Sequence, residues 1–223
     1  MQNRTEELRK ALMEAGACLV GFADLSCLDT NITKGYPFGI SFALQYDLDA
    51  VNSLPHEELF QTMKAEVDKK AKKVYAIAGR FLESWGYRHT RISSGVPTDE
   101  LPNLREKFPQ KTIATLAGLG WIGKSTLLVS ADYGPRLRLG AMLTDCPFQA
   151  DSPVLHSNCN DCNFCVDACP VGAIKGSNWS RGIDRAVLLD AKLCNEHLRK
   201  GITTIGRKDV CGLCLKACPI GRG

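Results

Sequence analysis

Eleven cysteines are the residues of this 223-residue chain with the clearest chemical potential, and eight of them fall between Cys159 and Cys218. The first run, Cys159, Cys162, Cys165 and Cys169 followed by proline, has the spacing Cys-x2-Cys-x2-Cys-x3-Cys-Pro. This spacing is typical of bacterial iron–sulfur loops, in which the fourth cysteine binds the other cluster of a pair. The run therefore predicts one-electron chemistry on iron–sulfur clusters.

A second, related run ends the chain. It consists of Cys194, then Cys211-x2-Cys214-x3-Cys218 followed by Pro219. Eight thiolates are the number that two 4Fe–4S clusters require. Under the crossing rule, the predicted ligand sets are Cys159, Cys162, Cys165 and Cys218 for the first cluster, and Cys169, Cys194, Cys211 and Cys214 for the second.

Zinc is the rival interpretation, because paired Cys-x2-Cys spacings also bind Zn²⁺. Three ligands crowded into one short loop are unusual for zinc and favour the cluster interpretation. A disulfide framework is disfavoured because the start, MQNRTEELRK, lacks the apolar stretch of a secretory signal. We therefore predict a cytoplasmic protein, whose clustered thiols would bind metal in a reducing compartment.

The overall composition is that of a globular protein, with 44% apolar and 23% charged residues. The net charge, 28 − 24 = +4, is too small to argue by itself for a nucleic acid or an anionic membrane surface. No apolar run of about 18 residues occurs, so we expect no membrane-spanning helix.

Hydrophobic periodicity indicates which elements would position the cysteine runs. Helices are predicted over 4–15, 55–85 and 103–117, and strands over 17–23, 38–46, 87–93 and 136–143. Helices and strands mix without a regular βαβ repeat, which predicts an α+β fold. Residues 146–158 resemble a linker, so we predict an α+β cofactor- and substrate-binding domain over 1–150 and a ferredoxin-like cluster domain over 151–223.

The basic segment between Cys194 and Cys211 leaves two interpretations open. Its cations could offset the negative charge of the clusters within a solvated loop. Alternatively, the segment could form a lid or a partner-docking loop over a cofactor.

Two further segments carry a family resemblance. AGLGWIGKSTLLVS at 117–130 and LGAMLTD at 139–145 precede the two-cluster cysteine pattern. In this order they resemble epoxyqueuosine reductase, a family that uses cobalamin and two 4Fe–4S clusters to deoxygenate a modified tRNA base. Reductive dehalogenases have a related organisation. The resemblance implies a short, divergent member with a nitroreductase-like N-terminal domain and a bound cobalamin.

Five residues of the first segment are implied to face the corrinoid: Gly120, Trp121, Gly123, Lys124 and Ser125. Glycines would allow close approach of a large ring, and the lysine and serine could bond its amide or phosphate groups. The alternative is a tight packing turn with Trp121 in the core and Lys124 in solvent. No catalytic residue is predicted.

The chain departs from the family at the proposed proton donor. The family's aspartate, in a V-D-S-A-P segment, corresponds to Ser93 here, and serine is a poor general acid. The chain also stops five residues after Cys218, without the repeat extension that many family members carry for tRNA. We therefore predict a reductase with a different small- or medium-sized substrate, for which tRNA is an improbable partner.

Two other function classes remain open at this point. The chain could be an electron-transfer protein that serves a partner enzyme without corrinoid chemistry of its own. The N-terminal domain could instead bind a flavin. For the reductase we expect an external donor of the ferredoxin or flavodoxin type and no membrane partner. A homodimer is expected only by analogy with the nitroreductase-like fold.

Overall fold

The structure is a computed structural model that describes residues 2–55, 57–92, 110–205 and 211–222. Its helices are α1 (Gln2–Glu14), α2 (Thr30–Thr33), α3 (Leu48–Asn52), α4 (Glu57–Ser84), α5 (Gln110–Leu116), α6 (Phe164–Asp167), α7 (Arg185–Leu188), α8 (Ala191–Ile205) and α9 (Leu213–Lys216). Its strands are β1 (Leu19–Asp24), β2 (Phe38–Gln45), β3 (His89–Arg91), β4 (Trp121–Ile122), β5 (Leu128–Val129) and β6 (Leu137–Thr144). The mixed content confirms the predicted combination of helices and strands.

The chain divides into two compact units that alternate along the sequence. The first unit comprises Met1–Gln45, Glu66–Gly120 and Arg138–Val154. The second unit comprises Tyr46–Ala65, Trp121–Leu137 and Leu155–Gly223. The predicted division into domains 1–150 and 151–223 stays a prediction about independent folding.

The first unit is built on a four-stranded sheet with the order β1-β2-β6-β3. Strands β1 and β2 are antiparallel, with Leu19 opposite Ala43, and β3 and β6 are antiparallel, with His89 opposite Thr144. Leu8 and Leu12 of α1 are fully buried, and α1 packs against β1. Helix α5 packs against both β1 and β2, so the sheet has its own hydrophobic core.

Strand β2 is buried more completely than its sequence predicts. Alternation of apolar residues indicated one buried face, but every residue from Gly39 to Leu44 is buried. The Phe42 ring packs edge-on against Tyr75 at a centroid distance of 4.8 Å, and a Cβ added at Gly140 would lie 2.2 Å from that same ring. Small residues on one face and large residues on the other thus allow both faces to be covered.

The second unit contains the cysteine runs, the short helices α6, α7 and α9, and the longer helix α8. Its buried cluster of Ala173, Ile174 and Leu189 is small, and cysteines of both runs pack against it. The expectation of a loop after Cys194 is wrong up to Ile205, because α8 covers this stretch. Leu198, Ile202 and Ile205 recur at helical spacing, which explains the helix.

The described residues include no helix that combines the length and the apolar character needed to cross a membrane.

Candidate iron–sulfur site

The first cysteine run forms a turn followed by a single helical turn. The Cys162 amide donates to the Cys159 carbonyl at 2.9 Å, and α6 then carries Cys165. The Cys169 amide donates to the Val166 carbonyl at 3.1 Å, and Pro170 follows. Because proline lacks an amide hydrogen and fixes its φ angle, the chain leaves the helix at this point. The second run repeats this arrangement, with Cys214 on α9 and Pro219 after Cys218.

The first cysteine group surrounds the Cys165 thiol. Burial is the largest of the causes that raise its pKa to about 11, and the charges of Cys159, Cys218 and Cys162 contribute to this rise. Burial likewise raises the pKa of Cys218, with Cys159 and Cys162 adding to the effect, while the Ile220 amide and Arg222 oppose it. Cys218 is therefore a spatial neighbour of Cys159 and Cys162, as the crossing rule predicts.

The second cysteine group is centred on the Cys214 thiol. Burial is the largest of the causes that raise the pKa of Cys214 to about 12, and the charges of Cys211, Cys165, Cys194 and Cys169 contribute to this rise. Burial also raises the pKa of Cys194, with added repulsion from Cys169 and Cys211 and an opposing effect of Arg185. Cys165 belongs to the first group but also contributes to the raised pKa of Cys214, so the two groups are close to each other.

The chemistry of both groups fits iron–sulfur clusters. Each group contains two thiols whose pKa is raised by burial and by neighbouring sulfurs, namely Cys165 and Cys218 in the first and Cys194 and Cys214 in the second. Such thiols become thiolates when cations compensate the repulsion, and cluster iron supplies that charge. Among the residues described, no three His, Cys, Asp or Glu side chains converge on a position for one metal ion. A four-iron cluster has a separate iron at each ligand sulfur, so its ligands need not converge on one point. The eight ligand assignments stay predictions that this grouping supports.

Backbone amides also point at the sulfurs. The Ala173 amide donates to Cys169 Sγ at 3.3 Å, and Ala173 itself is fully buried. Such hydrogen bonds favour the thiolate and tune the potential of a bound cluster.

The β4–β5 hairpin brings the segment predicted to face a corrinoid to the first cysteine group. A Cβ built on Gly123 would lie 3.5 Å from Cys159 Sγ, which is van der Waals contact, so Gly123 is a neighbour of this sulfur. The Lys124 ammonium donates to Asn163 Oδ1 at 2.9 Å, and Asn163 lies between two cysteines of the first run. Lys124 is only 4% exposed, so the alternative that placed it in solvent is wrong.

The other three residues of this predicted set are also buried, namely Gly120, Trp121 and Ser125. Trp121 lies in the core, as the packing alternative required, but its Nε1 is buried without a hydrogen-bond partner among the residues the structure describes. An indole N–H of this kind fits a donor to an acceptor on a bound group. The hairpin therefore fits a corrinoid at Trp121, whereas the ammonium of Lys124 is already bonded to Asn163.

Sequence reasoning missed Asn163 entirely. Its side chain occupies the cap position of α6 but makes no capping hydrogen bond, because Oδ1 accepts from Lys124. No spacing rule links an asparagine in a cysteine loop to a lysine 39 positions earlier. Ser93, the position of the family's aspartate, lies outside the described residues.

Comparison with known proteins agrees with this geometry. The 4Fe-4S dicluster domain family matches residues 158–222, which include all eight clustered cysteines. An epoxyqueuosine reductase of Listeria monocytogenes serovar 1/2a (strain ATCC BAA-679 / EGD-e) is 33% identical over 142 residues, which are 60% of this chain and 33% of that protein. The chain resembles the epoxyqueuosine reductases. It spans about a third of the length of the curated reductases that it matches.

Solved structures extend this similarity to the fold. An epoxyqueuosine reductase with a tRNA-Tyr epoxyqueuosine-modified tRNA stem loop superimposes with a TM-score of 0.65 at 18% identity, over 98% of this chain and 65% of that one. A reductive dehalogenase whose structure suggests a mechanism for B12-dependent dehalogenation gives a TM-score of 0.71 at 17% identity, over 100% of this chain and 32% of that one. The reductase and dehalogenase resemblance predicted from the sequence is confirmed.

One prediction about partners needs correction. The expectation that tRNA is an improbable partner is wrong, because an epoxyqueuosine reductase of the same fold was solved with a modified tRNA stem loop. That expectation rested on Ser93 and on a missing repeat extension, and neither feature reports on the rest of the surface.

Proposed function

We propose that this chain is an iron–sulfur reductase of the epoxyqueuosine reductase type, in which two 4Fe–4S clusters serve a cobalamin. The observation that carries the proposal is the meeting of the two distant cysteine runs in two groups of four. The proposal includes a nitroreductase-like domain over 1–150 and a cluster domain over 151–223. Such clusters supply single electrons, and a cobalamin supplies a cobalt centre that can reduce a substrate.

The chain's own residues would hold and tune these groups. The half-buried cysteines would bind the clusters, and the Ala173 amide would stabilise the negative charge on Cys169 Sγ. Gly123 lies beside Cys159 Sγ. Gly120, Trp121 and Ser125 are proposed to face the corrinoid, with Trp121 Nε1 as hydrogen-bond donor.

The first substrate to test is an epoxyqueuosine-modified tRNA stem loop, because a structural neighbour binds one. A different substrate remains our prediction from Ser93, which would replace a carboxylic acid with a weakly acidic hydroxyl. Full turnover would in either case require an external one-electron donor. Location in the cytoplasm and homodimer formation stay predictions.

A specific observation favours a second candidate function, that of an electron-transfer protein for a partner enzyme. Lys124 was predicted to bind the corrinoid, but its ammonium is bonded to the first cysteine run. If Lys124 serves the clusters, its burial is explained without a corrinoid.

Anaerobic reconstitution with iron, sulfide and cobalamin tests both candidates. We expect about eight iron atoms per chain, together with retained cobalt and turnover of the modified stem loop or of another reducible substrate. A Trp121→Phe variant removes the N–H and should bind cobalamin more weakly with unchanged iron. Iron without cobalt would exclude the reductase and leave the electron carrier. Failure to bind iron would exclude both.

A further inference from the structure

Among the residues that the structure describes, the buried ammonium of Lys124 has no carboxylate partner. Its side chain is 4% exposed, and in the described part of the chain its ammonium donates one hydrogen bond, to the neutral side chain of Asn163. No carboxylate lies within ion-pair distance of it among those residues. An ammonium has three hydrogen-bond donors. Its burial without a compensating charge is energetically unfavourable, because the charge loses its hydration. The position therefore favours a negative group beyond those that the described residues provide.

The surroundings of Lys124 indicate where that negative group would be. Its hydrogen-bond partner, Asn163, lies directly after Cys162 and two positions before Cys165. The preceding residue, Gly123, approaches Cys159 Sγ so closely that an added Cβ would be 3.5 Å away. Two adjacent hairpin residues thus contact the first cysteine run at separate points. A tight turn positions them, since the Gly123 amide donates to the Leu127 carbonyl at 2.9 Å.

We infer that Lys124 is the counter-charge of the cluster held by the first cysteine group and raises the reduction potential of that cluster. The inference rests on the proposed clusters, whose oxidised form with four thiolates carries a charge of about −2 and whose reduced form carries about −3. A nearby cation stabilises the more negative form more strongly, and low polarity around the pair strengthens the effect. Lys124 accordingly acts on the reduction potential of the cluster and is not a ligand of the corrinoid.

The test is a redox titration of reconstituted protein followed by electron paramagnetic resonance. Lys124→Met keeps the length of the side chain and removes its charge. We expect the midpoint potential of one cluster to fall, with at least a tenfold lower reduced-to-oxidised ratio at fixed potential, which is about 59 mV for one electron. The other cluster should shift less. Lys72→Met, at an exposed lysine of α4, is the matched control for net charge and should leave both potentials unchanged.

A second pair of variants decides the question if Lys124→Met fails to retain iron. Asn163 is exposed, so Asn163→Asp is tolerable for the fold and places a carboxylate against the ammonium. The new anion neutralises Lys124 and should lower the same midpoint potential, whereas Asn163→Ser should change it less. Variants whose cluster potentials all equal those of the wild-type protein would overturn the inference. Wild-type protein without iron would instead overturn the proposed function.

Discussion

At the scale of single residues, burial separates the three cysteines that lie outside the two groups. Cys18 donates its thiol hydrogen to the Ala43 carbonyl at 3.3 Å, and burial raises its pKa to about 11. Burial also raises the pKa of Cys146 to about 11, and this side chain is fully buried. Cys27 is exposed. These thiols differ in access and acidity, and neither buried one belongs to the cluster chemistry.

This difference predicts the order of alkylation in cluster-loaded protein. At pH 8, iodoacetamide should modify Cys27, while Cys18 and Cys146 remain unmodified. Because a pKa raised to about 11 leaves little thiolate below that pH, the Cys18 rate should increase about tenfold for each pH unit up to it. Peptide mass spectrometry against time measures each site, with Cys27→Ser as the control. Equal rates at Cys18 and Cys27 at pH 8 would contradict the structure.

At the scale of elements, strands β2 and β6 of the first unit meet at a tightly packed contact. Gly140 of β6 lies beneath the ring of Phe42 of β2, and a Cβ would lie 2.2 Å from Cζ and 2.5 Å from Cε2. Phe42 is fully buried and packs against Tyr75, so the ring has little room to move.

Gly140→Ala should therefore destabilise the protein by about 1–3 kcal/mol, the usual cost of an overpacked core. Thermal unfolding of cluster-loaded protein measures the change. Phe42→Leu creates space, so the double variant should lose less stability than the sum of the single variants. Strict additivity of the two substitutions would show that the strands do not meet at this contact.

At the scale of the whole molecule, the cysteines form part of the packing of the second unit. The buried group Ala173, Ile174 and Leu189 is small, and half-buried cysteines complete it. Metal binding supplies folding free energy in small domains of this kind. Its removal would leave two groups of half-buried thiols, in which neighbouring sulfurs disfavour ionisation of Cys165 and Cys214.

Hydrogen exchange before and after iron chelation should show which segments depend on the clusters. We expect amides of the second unit to lose protection, including those in Tyr46–Ala65 and Trp121–Leu137, while the sheet of the first unit keeps its protection. Cluster-loaded protein carried through the same buffers is the control. Loss confined to residues after Leu155 would support the simpler predicted division near residue 150 and contradict an interleaved unit.

Local spacing determined much of this protein before any tertiary structure was considered. Short loops position their own ligands, so the cysteine runs could be read directly from the sequence, while their crossed pairing stays a prediction. Apolar periodicity similarly indicated α1, β2, α4 and β6, because a helix or strand buries residues at its own repeat. The segment at 117–130 indicated the family resemblance, since its order relative to the cysteines was informative.

Only the tertiary structure decided which distant side chains meet. Burial on both faces of β2 depends on Gly140 and on packing from elsewhere in the first unit, which periodicity in one strand does not report. The alternation of the two units along the chain is likewise invisible to composition. Lys124 lies in a segment whose sequence was compatible with a tight turn. In the structure its ammonium donates a hydrogen bond to Asn163 of the first cysteine run. Local spacing specifies local geometry, whereas the charge that a buried lysine faces is set by long-range packing.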